Sequence, residues 1–179
     1  MLGCMTPRTS VAALLVLAGP LLSSIAAQDL PAAPRTAHYT VRATTTAADD
    51  AGLIPLDVTM RLTAPAAGRT VFELPVWTPG SYRVRSFAER LRDVHAADQE
   101  GRALPVEPLR RGAWQVTHGA LPAVVFAYRV LLAPRDRFMY PGDSRRCLTY
   151  EGPAVYVYAV GYKDVPCHVT WQLLEGWNA

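Results

Sequence analysis

The chain is dominated by a two-residue alternation of apolar and polar side chains. Leu56, Val58, Met60 and Leu62 face one way while Asp57, Thr59, Arg61 and Thr63 face the other, the mark of a half-buried strand. Tyr39, Val41 and Ala43 alternate with His38, Thr40 and Arg42 in the same manner. Val124, Phe126, Tyr128, Val130 and Leu132 give a later strand one apolar face. Val165, Cys167, Val169, Trp171 and Leu173, set against Pro166, His168, Thr170 and Gln172, do so for the last one. Turn signals separate these runs at short intervals, among them Ala51-Gly52, Pro65 to Gly68, Pro79-Gly80, Asp98 to Gly101, Gly119, Pro141-Gly142, Gly152-Pro153 and Lys163-Asp164. Helical periodicity is confined to Ser86–Leu91, where a helical turn and a strand fit equally well. Pro134–Arg146 shows no clear period and reads as a surface loop, and the chain has no internal repeat. The pattern predicts an all-β domain, an antiparallel β-sandwich or a curved open sheet.

The amino terminus breaks this pattern. Arg8 supplies a positive start, Val11 to Leu22 is apolar, and Ser24, Ala26 and Ala27 offer the small residues a signal peptidase needs. The apolar run is about twelve residues and Pro20 interrupts it, whereas a membrane span needs roughly 20. Residues 1–27 therefore read as a cleavable signal peptide, residues 28–37 as a flexible Pro/Ala leader, and residues 38–179 as the β-domain. The expected location is exported, periplasmic or extracellular, with no membrane span after cleavage.

Charge excludes one class of partner. The 18 basic and 15 acidic residues give a net charge of +3, and Lys163 is the sole lysine. Arg110-Arg111 and Arg145-Arg146 are too short to form a basic stripe, so no nucleic-acid partner is expected. Cleavage after residue 27 removes Cys4 and leaves Cys147 and Cys167. In an oxidising compartment a pair about 20 residues apart is a candidate disulfide worth ~3 kcal/mol. The rival is two buried free thiols.

Candidate chemistry is sparse. None of the four histidines, His38, His95, His118 and His168, belongs to a His-Glu-x-x-His pair that would hold zinc on a helix face. Gly80-Ser81 lacks the second glycine of a nucleophile elbow, and no Gly-rich phosphate loop is present. No catalytic residue and no metal or cofactor site is assigned to this chain. The aromatics are more suggestive. Tyr156, Tyr158 and Tyr162 fall on one face of an alternating run, and with Trp77, Tyr82 and Trp114 they could line a groove for a sugar or a peptide. An aromatic-rich core or domain interface is the alternative.

One string is more specific than the rest. A β-type stretch (Val71, Phe72, Leu74, Val76) is stopped by Trp77-Thr78-Pro79-Gly80 and restarted at Ser81-Tyr82-Arg83. Pro79 presets φ and Gly80 accepts the positive φ of a type II turn, so the sequence predicts a tight corner here. Leu74 to Tyr82, with Val84 to Ala88, resembles the amino-terminal β-domain of the glycyl aminopeptidase family of zinc metallopeptidases, metallopeptidase family sixty-one. Asp93-Val94, Gly101 to Pro105, Trp114-Gln115-Val116, Tyr128-Arg129-Val130, Tyr156-Val157-Tyr158 and Glu175-Gly176-Trp177 follow in that family's order. Cys147 and Cys167 lie outside its pattern.

The resemblance implies a β-domain that packs against a thermolysin-like catalytic domain in the same polypeptide and helps shape its cleft. That catalytic domain would hold the zinc, and a PDZ-like domain usually follows. Trp77, Thr78, Pro79, Gly80, Ser81, Tyr82 and Arg83 would then contact the catalytic domain or a peptide substrate. A free-standing exported module that binds peptide or carbohydrate on its tyrosine face is the alternative.

Overall fold

The structure is a computed structural model that describes residues 34–45, 52–80, 84–132 and 150–177. The signal-peptide reading, most of the leader, the loop reading of Pro134–Arg146, and the candidate residues Ser81, Tyr82, Arg83 and Cys147 lie outside the described residues. The described residues form a mostly β fold built from two open sheets.

The first sheet has the strand order β10-β1-β2-β8-β4-β5. Its members are β1 (Ala37–Ala43), β2 (Ile54–Thr63), β4 (Leu91–Asp98), β5 (Ala103–Leu104), β8 (Ala123–Leu132) and β10 (Cys167–Gln172). The second sheet runs β6-β7-β3-β9, from β6 (Val106–Arg110), β7 (Ala113–His118), β3 (Gly68–Glu73) and β9 (Tyr158–Ala159). The helical reading of Ser86–Leu91 resolves into a short 3-10 helix at Phe87–Arg90, with β4 starting at Leu91.

Alternation places the core where the sequence puts it along β1, β2 and β8, but the apolar row expected of the last strand stays largely exposed, because β10 is an edge strand. Along β2, Ile54, Leu56, Val58, Met60 and Leu62 are buried, and along β8 so are Val124, Phe126, Tyr128, Val130 and Leu132. The register pairs Leu56 with Val130 and Met60 with Phe126, so these rows form one apolar face. The opposite face carries Asp57, which accepts a hydrogen bond from the Arg129 Nε at 2.7 Å and faces Arg42 at 3.6 Å. The two sheets meet where Phe72 of β3 stacks on Phe126 of β8, with ring centroids 4.3 Å apart. Both rings are fully buried, and such a pair adds about 0.5–1.5 kcal/mol beyond its area.

Two expectations need correction. The sheet is not wholly antiparallel: β1 and β10 pair in parallel, Tyr39 opposite Val169. A parallel neighbour requires a crossover rather than a hairpin, and here most of the domain lies between the two strands. Nor is Val155–Tyr162 a continuous strand. Gly152–Val155 is a short helical turn (α1), and only Tyr158–Ala159 pairs with β3.

The intervening segment is held another way. Tyr39 donates its hydroxyl to the Val157 carbonyl at 2.7 Å. The Tyr128 hydroxyl donates to the Val155 carbonyl at 2.8 Å and accepts the Val157 N–H at 3.0 Å. Two side chains of the first sheet thus supply the hydrogen bonds that a neighbouring strand would have made.

Candidate docking site at the corner and the sheet mouth

The corner forms as its residues dictate. Leu74 is buried and closes β3's apolar row, while its N–H donates to the Gly112 carbonyl at 2.8 Å. The chain then leaves the sheet, and Gly80 takes a φ of +82°, a conformation that suits glycine. The Arg85 N–H donates to the Val76 carbonyl at 2.7 Å and ties the outgoing arm to the incoming one.

A carboxylate from elsewhere in the chain fixes both arms. The Thr78 hydroxyl donates to Glu151 Oε2 at 2.7 Å, and an Arg85 guanidinium nitrogen lies 3.8 Å from Glu151 Oε1. Arg85 Nε itself is buried without a hydrogen-bond partner among the described residues. What the clamp presents is apolar: Val76 and Trp77 are each 49% exposed, and Val84 is 81% exposed.

Val76 and Trp77 also form one wall of a concavity of about 400 Å³. Its other walls are Ala37 and Tyr39 of β1, Met60 of β2, Tyr158 and Ala159 of β9, Tyr162, Lys163 and Val165, and Cys167 of β10. The mouth opens beside the short β9, where β10 is left largely exposed while the inner residues of β1 stay buried. Lys163 Nζ stands 4.6 Å from the Tyr158 ring centroid, and the Arg35 guanidinium carbon 5.5 Å from that of Tyr162. The Tyr162 hydroxyl accepts the Ala66 N–H at 2.6 Å.

Of the aromatics grouped by sequence, the structure brings Trp77, Tyr158 and Tyr162 together and sends two others elsewhere. Tyr156 packs edge-on against Tyr39 and shares a hydrogen bond of 2.7 Å with the Tyr150 hydroxyl. Trp114 lies against Phe126 in the core. Lys163, Arg35 and Glu151 were not singled out as site residues. The sole lysine beside a Tyr-rich run was a usable signal; Glu151, 73 residues from Thr78, gave none.

The expected bridge between Cys147 and Cys167 is absent, because Cys167 is a free thiol. The rival picture of buried thiols fails as well, since Cys167 sits on the edge strand β10 and is exposed. Partial burial nonetheless pushes its thiol pKa up, which leaves it protonated and weakly nucleophilic at neutral pH. Burial likewise raises the phenol pKa values of Tyr39 and Tyr128, so both act as neutral hydrogen-bonding groups.

Among the described residues no three His, Cys, Asp or Glu side chains come together. His38 bonds Thr170, His95 bonds the Asp93 carbonyl, and His118 is buried between Thr70 and the Gly119 carbonyl. No helix of the described residues is long and apolar enough to cross a membrane.

Comparison with known proteins places this geometry. The model of the Peptidase M61 N-terminal domain matches residues 38–179. A solved structure with a similar fold is an aminopeptidase N family protein from Idiomarina loihiensis, at 20% identity and a TM-score of 0.56. The match covers 76% of this chain and 22% of that one, so the present chain spans less than a quarter of its structural neighbour. No curated protein matches the sequence.

Proposed function

This chain belongs to the family of peptidase M61 N-terminal domains, and from that premise we propose that it is the non-catalytic amino-terminal β-domain of an exported glycyl-aminopeptidase-like zinc metallopeptidase. It packs against a catalytic domain carried by the same polypeptide and helps shape that domain's substrate cleft. The zinc and the general base belong to the catalytic domain.

The observation that supports this reading is the corner. A solvent-facing turn usually carries polar side chains, yet this one holds Val76, Trp77 and Val84 outward and fixes them with Glu151. A rigid apolar surface of this kind marks a contact with another folded body. The mouth beside it favours a second reading, a free-standing module that binds peptide or carbohydrate among Trp77, Tyr158 and Tyr162.

One experiment separates the two: sequencing the genomic DNA beyond the codon for Ala179. The expected result is an open frame that encodes a helix with His-Glu-x-x-His and a downstream Glu. A stop codon at that point would sink the peptidase reading and leave binding as the function to test.

A further inference from the structure

The walls of the mouth have a chemistry of their own. Met60, Val76, Trp77 and Val165 make it largely apolar, and no carboxylate is among its described lining residues. Its two rim tyrosines are each overlaid by a cation, Tyr158 by Lys163 and Tyr162 by Arg35. Among the described residues neither Lys163 nor Arg35 has an ion-pair partner within 4.0 Å, so both cations at the rim are open to a carboxylate. The volume, about 400 Å³, suits one or two side chains rather than a folded surface.

A sugar is poorly served here. It needs several free hydrogen-bonding groups, but the Tyr39 O–H is committed to the Val157 carbonyl and the Tyr162 oxygen already accepts the Ala66 N–H, which leaves Tyr162 only its donor. A basic segment would be repelled by Lys163 and Arg35. What remains is a bulky apolar side chain accompanied by negative charge.

We propose that this mouth is a socket for an acidic peptide segment bearing a bulky apolar side chain, and that the catalytic half of the same polypeptide supplies the segment. The proposal rests on the peptidase reading for the source of the segment, and on the geometry for its chemistry. The apolar side chain packs against Trp77 and Met60, and its flanking carboxylate meets Lys163 at the rim.

Cys167 offers a built-in probe because its free thiol lines the mouth. In a chain carrying Cys4→Ser and Cys147→Ser, only Cys167 reacts with N-ethylmaleimide. The alkylation rate is measured against added acetyl-Asp-Phe-Asp-amide and, separately, acetyl-Lys-Phe-Lys-amide. The acidic peptide is expected to slow alkylation saturably, at a concentration roughly tenfold lower than the basic one, the size of one charge-assisted contact. Lys163→Glu should reverse that order, and Trp77→Ala should weaken both peptides. Equal protection by the two peptides, or none by either at millimolar concentration, overturns the proposal while the peptidase reading stands.

The source is tested in the extended polypeptide. There Cys167 should react about tenfold more slowly than in the present chain, with Lys163→Glu restoring most of the rate. If the two halves stay together after a proteolytic cut between them and Cys167 is still open, the socket proposal fails and the docking reading survives. Halves that separate sink both.

Discussion

Two phenols carry much of the burden at the scale of single residues. Tyr128 is fully buried and satisfies both Val155 and Val157, while Tyr39 satisfies only the Val157 carbonyl. Tyr128→Phe leaves a buried carbonyl and a buried N–H unpaired, and should cost about 1–3 kcal/mol. Tyr39→Phe leaves one carbonyl and should cost less. Urea unfolding of the two variants checks the order. Both phenol pKa values are raised by burial, so the neutral form is the folded form. Their contribution is complete below the unfolded phenol value of about 10 and is lost as pH rises through the higher folded values. Alkaline unfolding, followed by phenolate absorbance, should therefore begin above about pH 10 and be blunted in Tyr128→Phe.

Asp98 works in the opposite direction. Burial pushes its carboxyl up, but hydrogen bonds from the Arg102 side chain, from the Arg102 and Glu100 N–H groups, and the guanidinium charge hold it below the ordinary value. Its contribution is present above the unfolded carboxyl pKa and disappears as pH falls through the folded one. Asp98→Asn should flatten that part of the acid limb of a stability–pH curve.

Among elements, what could be read from the chain and what could not divide along a clear line. The corner was legible because Pro79 and Gly80 restrict φ locally, and Gly80 does take a φ of +82°. The rows Leu56 to Leu62 and Val124 to Leu132 were legible because alternation maps directly onto inside and outside. Partners were not legible. Nothing in Tyr39 or Val169 says that β1 and β10 are neighbours, or that they run in parallel. Tyr156 misled because its alternating surroundings suggest a strand, whereas the hydroxyls of Tyr39 and Tyr128 occupy the backbone groups a strand would use.

Glu151 belongs to the same class of long-range partner. Glu151→Gln removes the charge that faces Arg85 and weakens the bond from Thr78, at a cost of about 1–3 kcal/mol. The sensitive readout is hydrogen exchange at the Arg85 amide, which should quicken when the two arms come apart. Gly112 is constrained more tightly. Its φ is +77°, and a Cβ there would stand 3.0 Å from that of Ala88, so Gly112→Ala should lose about 1–3 kcal/mol in urea.

For the whole molecule, several uncovered surfaces adjoin one another. The corner, the mouth and the inner face of β10, where Val169 is 44% exposed, are linked through Val76, Trp77 and Cys167. Because Trp77 is half out of the fold, Trp77→Ala should change the stability of this chain by no more than about 0.5 kcal/mol. In the extended polypeptide the same change should lower kcat/KM and raise susceptibility to proteolysis between the halves. A Trp77→Ala chain that unfolds in isolation would show the residue to be core and remove the corner from the docking surface.

The pairing of β1 with β10 also imposes an order in time. Residues 37–43 leave the ribosome early, yet the strand that flanks them on one side, residues 167–172, is the last of the described strands to appear. Until it arrives, Ala37, Tyr39 and Val41 have a neighbour on β2 alone, and the first sheet lacks an edge. Contacts so far apart in sequence form slowly. The growing chain therefore holds its first strand in waiting, and the first sheet is completed only once residues 167–172 have been made.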